Sequence, residues 1–135
     1  MLFNPTSHKS AVWYLNRTEF IGSAYGPTLP AGWTLVDVLD FNGDARPDYL
    51  LFNLSTRKTA IWYLNGTTYA GGAFAPTLPS GWTLAGASEF NANGKPDYVL
   101  FQPSMRHTAI WYLNGATFAG VFGPTLAAGY DLVAP

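Results

Sequence analysis

Apolar and polar positions along the chain recur with a period of 49 residues. Two sets of aromatic residues share this spacing: Trp13, Trp62 and Trp111, and Phe3, Phe52 and Phe101. Within each period, short runs rich in aromatic and β-branched residues alternate with Gly, Pro and Asn, as is typical of strands separated by turns. The third period is one residue shorter, since Pro124 follows Pro76 by 48 residues. The pattern predicts a tandem repeat built from β-strands.

Each repeat is predicted to contain four strands, named A to D in chain order. In the third repeat they cover residues 82–88, 98–101, 108–113 and 116–119. Asn114-Gly115 between strands C and D is a favoured two-residue hairpin turn, and Asn65-Gly66 repeats it. Asn16-Arg17 is a poorer version, because arginine carries a Cβ where a positive φ is wanted. No segment has a helical period, so the fold class is predicted to be all-β.

Strand C is apolar on both of its faces. Ala60, Trp62 and Leu64 point to one side, and Ile61 and Tyr63 to the other. Such a strand belongs to a sheet that is covered on both sides. Four-stranded antiparallel units of this length, packed face to face, predict the blades of a β-propeller. A β-sandwich is the competing all-β fold, but it does not predict a repeat of 49 residues.

The blade boundaries follow from the strand order within a single repeat domain over residues 1–135. Residues 1–32 supply strands B, C and D of one blade, 33–81 and 82–129 are complete blades, and 130–135 supply a lone strand A. Propellers contain about four to eight blades, so three blades leave apolar faces and strand edges open. Closure by homo-oligomerisation is therefore predicted, with a homodimer of six blades favoured and a homotrimer of nine blades as the alternative. A fragment of a longer array is the competing interpretation.

Composition narrows the class of protein further. The net charge of −1 lacks the basic excess of a nucleic-acid binder, and an aromatic content of 16% with 11% charged residues is too apolar for disorder. No apolar run approaches 18 residues, so no membrane span is predicted. The stretch 1–5 has no charged n-region or cleavage site, which predicts no signal peptide. The absence of cysteine excludes thiol chemistry and leaves the compartment open.

The loop between strands A and B carries oxygen-bearing side chains at alternating positions, which suits a hard cation such as Ca²⁺. In the first copy the predicted ligands are Asp40, Asn42, Asp44, Asp48 and the backbone carbonyl of Arg46. The second copy has two formal charges instead of three and is predicted to bind more weakly, through Glu89, Asn91, Asn93, Lys95 (again by its carbonyl) and Asp97. The alternative is that both loops are Asx-type turns held by their own side chains.

The acidic loop, with the strand C frame Ala60-Ile61-Trp62-Tyr63-Leu64-Asn65-Gly66, resembles the FG-GAP/VCBS repeat of integrin-like β-propellers. The resemblance covers essentially the whole chain in three copies. It implies a propeller with structural Ca²⁺ in the A–B loops, an extracellular or exported protein, and binding rather than catalysis. One departure is Ala45, which stands where the family usually has glycine. If φ is positive there, alanine costs about 1 kcal/mol.

Strand direction places the A–B loops and C–D turns at one edge of the blades, and the B–C loops and D–A linkers at the other. The second edge carries most of the cations and the aromatic residues that open strand A. A ligand site is predicted there from Trp33, Trp82, Tyr130, His8, Arg57 and Arg106. Solvated loop cations and core tryptophans are the alternative interpretation. Trp13, Trp62 and Trp111 lie mid-strand and are predicted to pack between blades.

No sequence pattern indicates an enzyme, because neither a nucleophile with a base nor a phosphate loop is present. The predicted function is a non-enzymatic, lectin-like module that recognises a carbohydrate or glycoprotein on an oligomeric propeller with structural calcium. The alternative is a purely structural or engineered propeller fragment that self-assembles into a closed ring without a ligand.

Overall fold

The computed structural model describes residues 1–114 and 117–133, which form three antiparallel β-sheets that follow one another along the chain. The N-terminal sheet contains β1 (Leu2–Asn4), β2 (Lys9–Asn16) and β3 (Glu19–Thr28). The middle sheet contains β4 (Trp33–Leu39), β5 (Asp48–Asn53), β6 (Lys58–Asn65) and β7 (Thr68–Ala75). The C-terminal sheet contains β8 (Thr83–Ser88), β9 (Asp97–Gln102), β10 (His107–Asn114) and β11 (Thr117–Thr125). The fold is all-β, as predicted, and no helix suited to crossing a bilayer occurs in these two ranges.

Each sheet keeps its strands in chain order, so every neighbouring pair is a hairpin. The four predicted strands of the second and third repeats are confirmed as β4–β7 and β8–β11. The last strand of each sheet is longer than predicted. For example, β11 continues to Thr125 instead of ending at Ala119. Gly115 and Ala116, predicted as turn and strand, lie outside the described residues.

The N-terminal sheet has three strands and lacks a counterpart of β4 and β8. The predicted counterpart, the lone strand A over residues 130–135, is not a strand in the single chain: residues 130–133 pair with no strand among those described. That prediction requires a neighbouring chain, so the single chain does not test it. Ala134 and Pro135 lie outside the described residues.

Several turn residues have a left-handed backbone, and not all of them are the glycine that this conformation favours. Gly66 has a φ of 66° in the hairpin between β6 and β7, and Arg17 has a φ of 58° at the equivalent turn. Ala45 has a φ of 63°, so it bears the strain of about 1 kcal/mol expected where glycine is preferred. Strain at Arg17 is of the same order, because a left-handed backbone brings its Cβ close to the following carbonyl oxygen.

The hydrophobic core lies between adjacent sheets. One cluster joins Leu50 and Phe52 of the middle sheet to Leu100 and Trp111 of the C-terminal sheet. A second cluster uses the opposite face of the middle sheet and includes Phe3 of the N-terminal sheet; its fully buried members are Leu29, Tyr49, Leu51, Ala60 and Leu64. The middle sheet is therefore covered on both faces, as its two-sided apolar pattern predicts.

We call the face that carries Leu51, Ala60 and Trp62 the front face, and the face that carries Leu50 and Ile61 the rear face. In the C-terminal sheet, the residues equivalent to the front face are Leu100, Ala109 and Trp111. The same terms apply to the N-terminal sheet, whose front-face residues are Leu2, Ala11 and Trp13. At each contact between sheets, the rear face of one sheet packs on the front face of the next.

Buried hydrogen bonds repeat at both contacts between sheets. The Tyr49 hydroxyl donates to Ser10 Oγ at 2.9 Å, and the Tyr98 hydroxyl donates to Thr59 Oγ1 at 3.2 Å. Ser10 and Thr59 in turn donate to the carbonyls of Pro27 and Pro76, each at 2.8 Å. Burial raises the pKa of both tyrosines, that of Tyr98 to about 12. Each hydroxyl thus stays neutral and holds two sheets in register.

Candidate functional site

The loops divide between two edges of the sheets, as predicted. At one edge, the Arg46 guanidinium donates to Asn65 Oδ1 at 2.9 Å, so the loop after β4 contacts the hairpin after β6. Lys95 Nζ donates to Asn114 Oδ1 at 2.9 Å and repeats this contact in the C-terminal sheet. We call this the acidic edge. At the opposite, aromatic edge, the N–H of Leu78 donates to the carbonyl of Arg57 at 2.9 Å and joins the β5–β6 loop to the linker before β8.

The two acidic loops are closed by hydrogen bonds from their own backbone to their first carboxylate. Asp40 Oδ1 accepts from the N–H groups of Asn42, Gly43 and Asp44 at 2.7–3.2 Å, and Oδ2 accepts from Ala45 at 2.8 Å. Glu89 accepts in the same way from residues 91, 93 and 94. Both loops therefore have the Asx-like closure that the sequence left open as an alternative.

The pKa of the first carboxylate follows from this closure. Desolvation opposes ionisation of Asp40, but the hydrogen bonds from residues 42–45 outweigh it and lower the pKa of its carboxyl from 3.8. Desolvation is outweighed in the same way at Glu89, and its pKa is lowered from 4.5 by backbone N–H groups of residues 91–94. Both loops are therefore held by an ionised carboxylate at neutral pH.

The last carboxylate of each loop is buried and connects the loop to the third strand of its sheet. Asp48 Oδ1 accepts from the N–H of Leu64, and Oδ2 from the N–H of Phe41, each at 3.0 Å. Asp97 repeats both bonds, with Leu113 at 2.9 Å and Phe90 at 3.1 Å. Neither aspartate is exposed to solvent. Burial is the largest influence on Asp48 and raises the pKa of its carboxyl.

Whether these loops fit calcium depends on which oxygens remain free. The donor set of the first loop suits a hard cation, since Asp44 is exposed and each of its oxygens accepts a single hydrogen bond. Within residues 1–114 and 117–133, however, no three His, Cys, Asp or Glu side chains converge where they could hold a metal ion. Binding would therefore require Asp40 and Asp44 to turn toward a common point. The second loop fits less well, because Glu89 and Asp97 are its only carboxylates.

The histidine and the two arginines predicted for the ligand site all close tight loops at the aromatic edge. His8, Arg57 and Arg106 have φ values of 56°, 55° and 57°. The Arg106 guanidinium donates to the carbonyls of Leu126, Ala127 and Tyr130, so it holds the last linker. Arg57 Nε and His8 Nδ1 are buried without a hydrogen-bond partner in the described part of the chain. The three side chains belong to different sheets and do not form one cluster.

Two aromatic clefts lie on the front faces of the middle and C-terminal sheets, next to the linkers. The first has a volume of about 220 Å³ and is bounded by Pro30, Trp33, Trp62, Tyr69 and Phe74. The second has a volume of about 160 Å³ and is bounded by the equivalent residues Pro79, Trp82, Trp111 and Phe122. Trp33 and Phe74 have ring centroids 6.3 Å apart, and Trp82 and Phe122 6.1 Å apart. The repeat thus builds the same aromatic cleft twice.

A glycine on the last strand gives the tryptophan of each cleft its position. A Cβ at Gly72 would lie 3.0 Å from Trp62 Cδ1 and 2.8 Å from the carbonyl of Ile61. A Cβ at Gly120 would lie 3.0 Å from Trp111 Cδ1. The indoles therefore lie directly against the backbone, and their other neighbours are Tyr69 and Phe118, with centroids 4.8 Å and 3.8 Å away.

Nitrogen-bearing side chains stand at the outer rim of the clefts. Lys58 Nζ lies 5.6 Å from the centroid of Phe74, and the His107 ring lies 6.5 Å from that of Phe122. Phe74 and Phe122 are 72% and 80% exposed, so each cleft has one wall in solvent. An apolar floor with a polar rim suits a ligand that offers both a flat apolar face and polar substituents.

The structure brings two of the predicted ligand-site residues, Trp33 and Trp82, into clefts and leaves the others outside. Tyr130 is 69% exposed and lines neither of the two clefts. Sequence reasoning assigned Trp62 and Trp111 to the core only, whereas both also line a cleft. Their equivalent Trp13 was predicted to pack between blades, but it is 54% exposed because no sheet covers the front of the N-terminal sheet in the described chain.

Other residues that shape the clefts or join the sheets were harder to recognise from the sequence. Tyr69 and Phe118 recur at the repeat spacing, which could have indicated the aromatic neighbours of the cleft tryptophans. Asp37 had no such signal, since Gly86 stands at the equivalent position. Its carboxylate accepts from the N–H of Ala87 at 2.9 Å and so joins β4 to β8.

Comparison with protein-family models, curated proteins and solved structures gave no match to this chain. The resemblance to FG-GAP/VCBS repeats therefore stays a prediction from the sequence. The functional hypothesis depends on the geometry of the clefts.

Proposed function

We propose that the protein is a non-enzymatic binding module that recognises carbohydrate, free or on a glycoprotein, through the aromatic clefts of propeller blades. The observation that carries the proposal is the repetition of one cleft, with equivalent residues, on two successive sheets. A core packed only for stability has no need to leave Phe74 and Phe122 exposed beside Trp33 and Trp82.

The size and chemistry of the clefts favour a sugar ring. Their volumes are below the roughly 300 Å³ at which sites for drug-sized ligands begin, so they suit a single ring. One face of a pyranose is apolar and packs on an aromatic ring, while Lys58 or His107 can bond its hydroxyl groups. Equivalent clefts on one chain favour multivalent ligands, because the second contact is then intramolecular.

Removing one exposed cleft wall tests the proposal with little effect on folding. Phe74→Ala and Phe122→Ala should each weaken binding to an immobilised glycan by about tenfold, and the double variant should lose the avidity of the pair. A glycan array identifies the sugar, and surface plasmon resonance with the three variants gives the change. Leu54→Ala is the matched control, because Leu54 is an apolar side chain that is 67% exposed and lines neither cleft. An array without any bound glycan, at high surface density, would contradict the proposal.

Structural calcium in the first acidic loop belongs to the same proposal and is supported by the carboxylates of Asp40 and Asp44. Excess Ca²⁺ should raise the Tm of the protein, since a ligand that binds only the folded chain stabilises it. Asp44→Ala should remove the shift, because Asp44 is exposed and its loss leaves the buried Asp48 in place. Glu89→Ala is the comparison for the weaker loop. An unchanged Tm in Ca²⁺ and in EDTA would contradict the calcium assignment and leave the glycan proposal standing.

A purely structural role is the second candidate, in which the chain assembles into a ring without a ligand. The exposed front face of the N-terminal sheet favours it, since Trp13, Leu15 and Phe20 are each more than half exposed. Self-association without glycan binding is the result that would select this candidate.

A further inference from the structure

The front face of the N-terminal sheet has the residues of a contact between sheets, but no sheet covers it within residues 1–114 and 117–133. Leu2, Trp13 and Leu15 are 43%, 54% and 54% exposed. Their equivalents on the front of the C-terminal sheet, Leu100, Trp111 and Leu113, are 1%, 8% and 6% exposed, because they pack on the middle sheet. The front faces of the N-terminal and C-terminal sheets thus carry similar residues and differ mainly in whether another sheet covers them. The N-terminal sheet therefore presents an apolar face of the kind that sheets in this chain bury.

The complementary surface lies at the other end of the chain. The rear face of the C-terminal sheet carries an apolar groove of about 310 Å³, bounded by Phe90, Val99, Ile110, Leu132 and Val133. The equivalents of Val99 and Ile110 in the middle sheet, Leu50 and Ile61, belong to the cluster that packs on the C-terminal sheet. Each end of the chain thus presents one half of the contact that its interior makes twice.

The outer edge of β1 and the segment 130–133 also lack a strand partner in the described chain. In the described chain β1 pairs with β2 alone, whereas β5 and β9 each pair on both sides. The segment 130–133 follows a turn that matches the turns before β4 and β8. Tyr130 N–H donates to the carbonyl of Ala127 at 3.4 Å, as Trp33 does to Pro30 at 3.2 Å, and Gly129 has a φ of 85° against 83° at Gly32. The turn that precedes the first strand of a sheet is therefore already formed at residues 127–130, although residues 130–133 pair with no strand in the described chain.

We propose that a second copy of this chain docks head to tail, with residues 130–133 of one copy adding a strand to β1 of the other. The register follows from the pairs Trp33 with Asn53 and Leu35 with Leu51 between β4 and β5. It places Tyr130 opposite Asn4 and Leu132 opposite Leu2 of the second copy. The front face of the N-terminal sheet then covers the groove on the rear of the C-terminal sheet, in continuity with the two contacts inside the chain.

The docking completes a third aromatic cleft from both copies, an extension that rests on the proposed function. Tyr130 of one copy takes the position of Trp33, opposite Tyr25 of the other copy, which is equivalent to Phe74 and 80% exposed. Trp13 and Phe20, with centroids 5.4 Å apart, supply the inner wall as Trp62 and Tyr69 do in the first cleft. Ser23 stands in place of Gly72. Neither copy alone contains this site.

A head-to-tail contact joins two different surfaces, so it repeats until the assembly closes. Two copies give six sheets, within the range of about four to eight blades in closed propellers, and three copies give nine. We therefore expect a closed dimer in solution. Light scattering on the unmodified chain measures its mass directly, and a mass of one chain at all accessible concentrations would overturn the docking.

Disulfide trapping tests the register, because the chain contains no cysteine of its own. Leu2→Cys and Leu132→Cys chains, refolded together as an equimolar mixture and oxidised, should give a covalent dimer of one chain of each kind. Opposed residues on antiparallel strands are close enough for a disulfide. A mixture of Leu2→Cys with Asp131→Cys is the control, since neighbouring residues of a strand point to opposite faces, and it should give little of this product. Dimers of Leu2→Cys with itself would overturn the head-to-tail arrangement.

A variant without cysteine keeps the test valid if cysteine disturbs the edge strand. Trp13→Glu places a charge on a side chain that is already half exposed, so it should stay folded by circular dichroism and lose self-association at least tenfold. Unchanged association would overturn the proposed surface. These measurements need no glycan, so their outcome is independent of whether the module binds sugar.

Discussion

Replacing Asp97 or Asp48 with alanine is expected to lower the free energy of unfolding by about 3 to 5 kcal/mol. Both oxygens of each carboxylate accept a backbone N–H, one from the loop and one from the third strand of the sheet. Alanine leaves these donors without a partner in a buried site, where each unsatisfied group costs about 1 to 3 kcal/mol. Urea unfolding monitored by tryptophan fluorescence measures the change.

Asp44→Ala is the matched control within the same loop. Asp44 is exposed, and among the described residues it accepts only from the N–H of Arg46 and the side chain of Asn42. Its loss should therefore lower the free energy of unfolding by less than about 1 kcal/mol. The comparison separates two roles for Asp48. If Asp48 acted mainly as a calcium ligand, EDTA would remove most of the difference between Asp48→Ala and the unmodified protein. We expect the difference to persist in EDTA.

The sequence predicted the strands because each of its signals was local and repeated. A 49-residue period, two-sided apolar strands and Asn-Gly turns lead to the same four-stranded units, and β4–β7 and β8–β11 follow them. The role of Asp48 was less accessible. An aspartate at the end of an acidic loop suits calcium by residue type, and only the folded chain shows that it accepts from Leu64, 16 residues away.

The clefts could not be predicted from the sequence, because they depend on whether a neighbouring sheet packs on residues that are equivalent in the repeat. Trp13 and Trp111 occupy the same position of the repeat, yet one is 54% exposed and the other 8%. Sequence pattern fixes the face on which each tryptophan lies, but burial depends on whether another sheet packs there. The same limit applies to Phe74, whose exposure follows from its place on the last strand beside an open linker.

Three leucines at equivalent positions of the repeat are expected to differ in how much alanine destabilises the protein. The loss should depend on how deeply each leucine is buried, although all three have the same place in the repeat. Leu51→Ala and Leu100→Ala should each lower the free energy of unfolding by about 2 to 4 kcal/mol, because both side chains are 1% exposed and their removal leaves a cavity between two sheets. Leu2→Ala should cost less than about 1 kcal/mol in the single chain, since Leu2 is 43% exposed and has little packing to lose. Urea unfolding at a concentration where light scattering finds one chain measures all three.

The same three variants report on docking when the protein concentration is raised. A docked second copy covers Leu2 as the N-terminal sheet covers Leu51, so the cost of Leu2→Ala should rise toward that of Leu51→Ala as the unmodified protein associates. The costs of Leu51→Ala and Leu100→Ala should stay constant, because their contacts lie within one chain. Equal costs for all three in the single chain would contradict the arrangement of sheets. A cost of Leu2→Ala that does not change with concentration would show that the front face of the N-terminal sheet stays uncovered.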